Sequence, residues 1–279
     1  MFQNILMTTD FSDCSRSAAE MALEMAKVCG ANAHLLHATC SIHEVSPFFE
    51  QANYDETEIL MEPEERVERG MTSLIGGMDV DTDDIYKVQV RGNTETGSII
   101  SYARENPIDL MVMGAHGRNV GERMLGSVAR RLIAAAPCPV LLSKESDTSP
   151  GAFRKILLPV DFAHINPEAI ANACELAGLF GGTIQLLQVV TDPDRVMEAI
   201  MVTGQAKEAL NKMVPEQVSI EVGVVAGEPS TAIAEFAEEH HSDLIYIPRY
   251  EQDATFVNRV VEGLLKDADC PICVGPGYL

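Results

Sequence analysis

An α/β chain built from two copies of one doubly wound, five-stranded parallel sheet is the fold this sequence predicts, on three observations. Short apolar runs alternate with stretches that carry apolar residues at helical spacing, the pattern of βαβ units and hence of parallel strands. The pattern recurs. Ile156-Leu157-Leu158-Pro159-Val160-Asp161-Phe162 matches Ile5 to Phe11 at an offset of 151 residues, and the offset holds for Glu24 and Glu175, Gly30 and Gly181, and Leu35-Leu36 and Leu186-Leu187. A constant offset through strand, helix and strand marks an internal duplication. The length, 279 residues, is that of two domains.

Taken in order, Phe2 to Asp10 reads as a buried strand closed by Asp10-Phe11-Ser12, which supplies a helix cap. Ser15 to Cys29 places Ala18, Met21, Ala22, Met25 and Val28 at helical spacing and stops at Gly30. Ala33 to Ala38 is a second strand. Ser41 to Arg69 then interrupts the repeat with an acidic, helix-prone insert, read as a long crossover, with a lid over a ligand as the alternative. Downstream the order is kept. Val88 to Gly92 answers Val222 to Gly227, Asp109 to Met113 answers Asp243 to Ile247, and Cys138-Pro139-Val140 answers Cys270-Pro271-Ile272. The polar segment Ser143 to Gly151 separates the halves, giving expected domains at residues 1–145 and 152–279.

Composition narrows the partners. A formal charge of −22 argues against nucleic acid and against an anionic membrane surface. Trp is absent and aromatic residues make up 5%, so platforms for stacking bases are scarce. No run approaches the roughly 18 apolar residues of a membrane span. Seven cysteines, an odd number, and no signal-like apolar core before Asp10 point to reduced thiols and a cytoplasmic location.

One stretch carries chemistry. Val112 to Val128 is an apolar run broken by Gly114 and Gly117 and resumed as a helix after Gly126-Ser127. Glycines let backbone N–H groups turn toward a ligand, and a helix start adds a positive dipole end, so the stretch reads as a phosphate cradle. Arg118, Arg123, Arg130 and Arg131 concentrate positive charge there, with helix-surface arginines as the plainer reading of the last two.

The strand ending in Asp10-Phe11-Ser12, the Gly114-x-His116-Gly117 turn, the Gly126-Ser127-Val128 helix start and the closing Pro137-Cys138-Pro139-Val140 together resemble the universal stress protein family, here in tandem form. The resemblance covers nearly the whole chain, once per half. It implies a nucleotide-binding α-hydrolase-like fold whose halves pack edge strand to edge strand about a pseudo-two-fold axis, an intramolecular pseudo-dimer that leaves a further homodimer open. It also implies a site for ATP or a related adenine nucleotide at the strand carboxyl ends, with Mg²⁺ bridging the phosphates if they are hydrolysed. Asp10 would lie near adenine and ribose, the Ala38 backbone would read the adenine edge, and Met113 and Gly114 would lie along ribose and phosphates. Gly117, Gly126, Ser127 and Val128 would present donors to the phosphates. The family pattern has nine residues before its Gly-Ser, and Arg118 to Leu125 is eight. The role implied is regulatory or protective, in stress response. A nucleotide-free interaction module and a slow ATPase are the alternatives, since no nucleophile with an adjacent base is identifiable.

The second half departs further. Pro248, Glu251 and Asn258-Arg259 stand where Gly114, Gly117 and Gly126-Ser127 stand in the first, so no equivalent phosphate site is expected despite Asp161. Other constellations read as structural. His34 and His37 fall on opposite faces of a strand and cannot share a zinc ion, even with Cys40 and His43 nearby. Asp79 to Asp84 lacks the glycine and the distal glutamate of a calcium loop. Cys138 and Cys270 read as small core residues, and Cys14 as an oxidisable thiol near the site.

Overall fold

The computed structural model describes residues 2–40, 63–78, 85–117, 124–145, 153–162, 167–250 and 254–277. The elements of the first half are β1 (Asn4–Thr8), α1 (Asp13–Cys29), β2 (Asn32–Cys40), α2 (Pro63–Ile75), β3 (Ile85–Gly92), α3 (Glu95–Glu105), β4 (Leu110–Gly114), α4 (Ser127–Ala135) and β5 (Val140–Ser143). The second half comprises β6 (Lys155–Pro159), α5 (Pro167–Leu179), β7 (Thr183–Val190), α6 (Val196–Met213), β8 (Ser219–Ala226), α7 (Pro229–Glu239), β9 (Leu244–Tyr250), α8 (Ala254–Asp267) and β10 (Ile272–Gly277). Most of the insert, and the calcium-like Asp79 to Asp84, lie outside the described residues.

The strand order is β3-β2-β1-β4-β5-β10-β9-β6-β7-β8. Each half is thus a parallel sheet of order 3-2-1-4-5, and the two expected sheets merge into one of ten strands. The join is antiparallel, with Val140 opposite Val274, Leu141 opposite Cys273 and Leu142 opposite Ile272. All six residues are buried. An antiparallel pairing of equivalent strands is what a two-fold relation between the halves requires.

Helices cover both faces. Ala18, Ala22 and Met25 of α1, Met71 and Ile75 of α2 and Ala173 of α5 pack on one face. Ile99 of α3, Leu132 of α4, Ile233 of α7 and Leu264 of α8 pack on the other. Both cores run through both halves. α1 begins where its sequence permits: the Ser12 side chain accepts from Ser15 N–H, and Gly30 closes the helix at φ 65°. The duplicated aspartates do the same work twice. Asp109 Oδ2 accepts the Gln3 and Asn4 N–H groups at 2.6 and 2.9 Å, and Asp243 Oδ2 accepts those of Arg154 and Lys155 at 2.9 and 2.8 Å. Each ties the start of its half's first strand to the approach to its fourth.

The scarce cations go to helix ends. Arg16 donates to the Leu74 and Ser73 carbonyls at the end of α2, and Lys155 to the His240 carbonyl after α7. Lys144, beyond β5, donates to the Ala268 carbonyl after α8. Positive side chains there meet orphan carbonyls and the negative dipole end together. Among the described residues no helix is long and apolar enough to cross a membrane.

Candidate functional site

The strand order reverses between β1 and β4, so the crevice beyond their carboxyl ends is where an open α/β sheet receives a ligand. Four segments meet there. The first follows β1. Phe11 sits at φ 63°, a strained value for a bulky residue, with its N–H on Thr9 Oγ1. That kink sets Asp10 on the crevice rim, where its Oδ1 accepts the Ser12 N–H and hydroxyl at 3.1 and 2.6 Å.

The second segment is the end of β2, which outruns its neighbour. β1 pairs with β2 only as far as Thr8 opposite Leu36, whereas β2 and β3 stay paired through Cys40 opposite Gly92. Thr9 N–H still bonds the Leu36 carbonyl. Because peptide groups alternate sides along a strand, the Ala38 N–H and C=O point the same way, into the crevice. Among the described residues no strand pairs with Ala38 on that side. A donor and an acceptor side by side match the hydrogen-bonding edge of a nucleobase.

The third and fourth segments are the turn after β4 and the start of α4. A Cβ on Gly114 would lie 2.9 Å from Cys14 Sγ and 3.1 Å from the Ser15 nitrogen, so α1 packs against the bare backbone. A Cβ on Gly117 would lie 2.6 Å from Asp10 Oδ2. Ala115 is held on both sides, its N–H by the Ser143 carbonyl and its carbonyl by the Gly126 N–H, each at 2.9 Å. The second bond closes the base of the loop and sets Gly126 beside Gly117. α4 opens at Gly126 with no side chain capping it, and its first backbone acceptance is Arg130 N–H to the Gly126 carbonyl. The Ser127, Val128 and Ala129 N–H groups therefore lack helical partners at the positive end of the dipole.

Asp10, Gly117 and Gly126 are brought side by side, Gly114 ends β4 against α1, Ser127 and Val128 open α4, and Ala38 stands on the overhanging end of β2. The Met113 side chain is buried in the core on the α4 face, so only its backbone reaches the rim. His116 is buried, its Nδ1 4.0 Å from Cys14 Sγ, while Cys14 donates to the Ser143 carbonyl. It packs inward beneath the cradle. Arg118 and Arg123 lie outside the described residues, and Arg130 pairs with Glu262 of the second half. His34 bonds Tyr102 Oη at 2.7 Å on one face of β2, and His37 bonds the Thr9 carbonyl at 2.7 Å on the other. All seven cysteines are free, and burial pushes the Cys138 thiol up to about 12 and that of Cys174 to about 11. A separate cleft of about 440 Å³ runs along the sheet edge from Val90 to Glu105 and includes none of the predicted site residues.

The second half shows how the same fold closes such a cradle. Glu251 lies outside the described residues. β9 does not turn away at Pro248 but stays paired with β10 through Arg249 and Tyr250. α8 ends level with α4, as Ala268 answers Ala136, yet it has 14 residues against nine. The extra residues are at its start and place Asn258 and Arg259 inside the helix. The N–H groups equivalent to the open donors of α4 are consumed by the preceding turn.

Sequence reading missed Arg249. Its Nη1 and Nη2 donate to the Ile133 and Ala136 carbonyls of the first half at 3.0 and 2.9 Å. The available signal was a lone cation inside the otherwise apolar strand Leu244 to Tyr250 of an acidic chain.

The fold is that of a tandem doubly wound α/β protein. The family model for the universal stress protein family matches residues 1–144 and again 152–275, and the chain belongs to that family. A universal stress protein of Thermus aquaticus is 34% identical over 145 residues, covering 51% of this chain and 98% of its own. One from Methanocaldococcus jannaschii is 29% identical over 146 residues, covering 52% of this chain and 84% of its own. Each corresponds to one half. The crystal structure of a universal stress protein from Archaeoglobus fulgidus DSM 4304 has the tandem fold, with a TM-score of 0.70 at 18% identity, over 98% of this chain and 96% of its own.

Proposed function

We propose that the first half binds ATP or a related adenine nucleotide and that the second half, its cradle overwritten, binds none in the same way. The protein then acts in the cytoplasm as a nucleotide-dependent regulatory or protective module of the stress response. The observation that supports the reading is the contrast between α4, whose first N–H groups have no partner within the helix and start beside Gly117, and α8, which begins five residues earlier and holds the equivalent N–H groups inside the helix. Ala38 offers the base a paired donor and acceptor, and the Asp10 carboxylate is suited to accept from ribose hydroxyls. Phosphates fit where donors and dipole coincide. Among the described residues no three metal-ligating side chains converge.

The test is to denature the purified protein, identify any released nucleotide, and titrate ATP by calorimetry. One nucleotide per chain is expected. Two per chain would overturn the assignment of the second half, none would favour a nucleotide-free interaction module, and steady ADP release would favour an ATPase.

A further inference from the structure

Arg249 stands just past Pro248, at the point where the first half turns into its cradle. Instead of serving a site in its own half, it reaches across the seam and grips the end of α4 with both arms of its guanidinium. The Ile133 and Ala136 carbonyls are orphans of that helix end, since no later turn exists to bond them. A planar fork satisfying two carbonyls fixes direction as well as distance. The charge also lies at the negative end of the dipole whose positive end faces the crevice.

From these contacts we infer that Arg249 is a positioning residue for phosphate binding, the means by which the second half holds the first half's cradle in register. This rests on the nucleotide reading above. α4 is short, nine residues or about 13 Å, so its two ends move as one rod. Its buried face, Ala129, Leu132 and Ile133, is small and apolar, and resists separation better than sliding. The Gly126 bond to Ala115 holds the front of the rod and Arg249 holds the back. Donors that must lie within about 3 Å of phosphate oxygens tolerate little slip. Arg130 paired with Glu262 adds a second tie between α4 and α8, partly exposed and therefore weak. The second half has traded its own phosphate site for a clamp on the other one.

The experiment compares the full-length protein with Arg249→Ala and Arg249→Lys, measuring ATP and adenosine affinity by calorimetry and amide exchange along α4 by mass spectrometry. In Arg249→Ala, ATP binding should weaken about tenfold while adenosine binding is unchanged, and exchange in the last turn of α4 should quicken. Arg249→Lys should recover part of the ATP affinity. An unchanged ratio of ATP to adenosine affinity in Arg249→Ala would overturn the inference. So would an equal loss for both ligands, which marks a merely structural role. If the unsubstituted protein binds ATP no tighter than adenosine, the nucleotide reading fails, and faster exchange in α4 then still reports the clamp. Should Arg249→Ala not fold, Arg249→Lys supplies the same comparison.

Discussion

Asp10 stands over Gly117 so closely that a methyl group on the glycine would lie 2.6 Å from the carboxylate oxygen Oδ2. On the proposed reading, the groups that would meet ribose and phosphate share this contact. In Gly117→Ala the Asp10 side chain must swing away from Ser12, a cost of about 1 kcal/mol. Thermal unfolding of the apo protein should change little, and the rise in Tm on adding ATP should be lost. A full rise would place the nucleotide elsewhere.

Gly126 separates stability from binding in the opposite direction. Its φ of −61° is ordinary, and a Cβ would meet nothing nearer than 3.5 Å. Gly126→Asp gives α4 the cap it lacks and should stabilise the apo protein by a few tenths of a kcal/mol. The same carboxylate takes the donors and repels phosphate. Urea unfolding should shift slightly upward while ATP binding disappears. Retained binding would remove α4 from the site.

The paired aspartates offer an internal control on the duplication. Asp109→Ala and Asp243→Ala each leave two backbone N–H groups without their carboxylate, and each should cost about 2 kcal/mol in denaturant unfolding. Similar losses are expected from the two. A loss confined to one would show that the halves have ceased to use the device alike.

His34 gives a pH dependence of definite sign. Burial lowers its pKa from 6.5, so the folded protein holds the ring neutral where the unfolded chain protonates it. Its contribution is complete above pH 6.5 and is lost as pH falls toward the folded value, because the unfolded state there binds more protons. Unfolding midpoints measured from pH 8 to 5 should fall less steeply below pH 6.5 in His34→Phe. The variant should be less stable throughout, as Tyr102 Oη loses its partner.

Much of this was legible in the sequence because it rests on local pattern. Apolar runs marked β1, β4, β6 and β9, the Ser12 cap and Gly30 bounded α1, and the 151-residue offset exposed the duplication. Gly114 and Gly117 stand out in the sequence because the close approaches of Cys14 and Asp10 leave no room for a Cβ. What escaped depends on distances between segments. No periodicity says that β2 overhangs β1 by the residues that leave Ala38 facing a crevice. Asn258-Arg259 align with Gly126-Ser127 when the two helices are matched at their ends, but that both lie within α8 depends on the start of that helix at Ala254. Arg249 looks like an intrusion in a strand until its target, more than a hundred residues earlier, is brought alongside.

The pairing of Leu141 with Cys273 at the middle of the seam has a meaning beyond packing. Where two identical chains meet on a two-fold axis, the central residue faces its own copy, and every change is made on both sides at once. Here one gene encodes both sides separately. A leucine can face a cysteine, one cradle can be lost without the other, and a cation freed on one side can be reassigned to the other. Because the seam lies within one chain, dilution leaves the two halves associated.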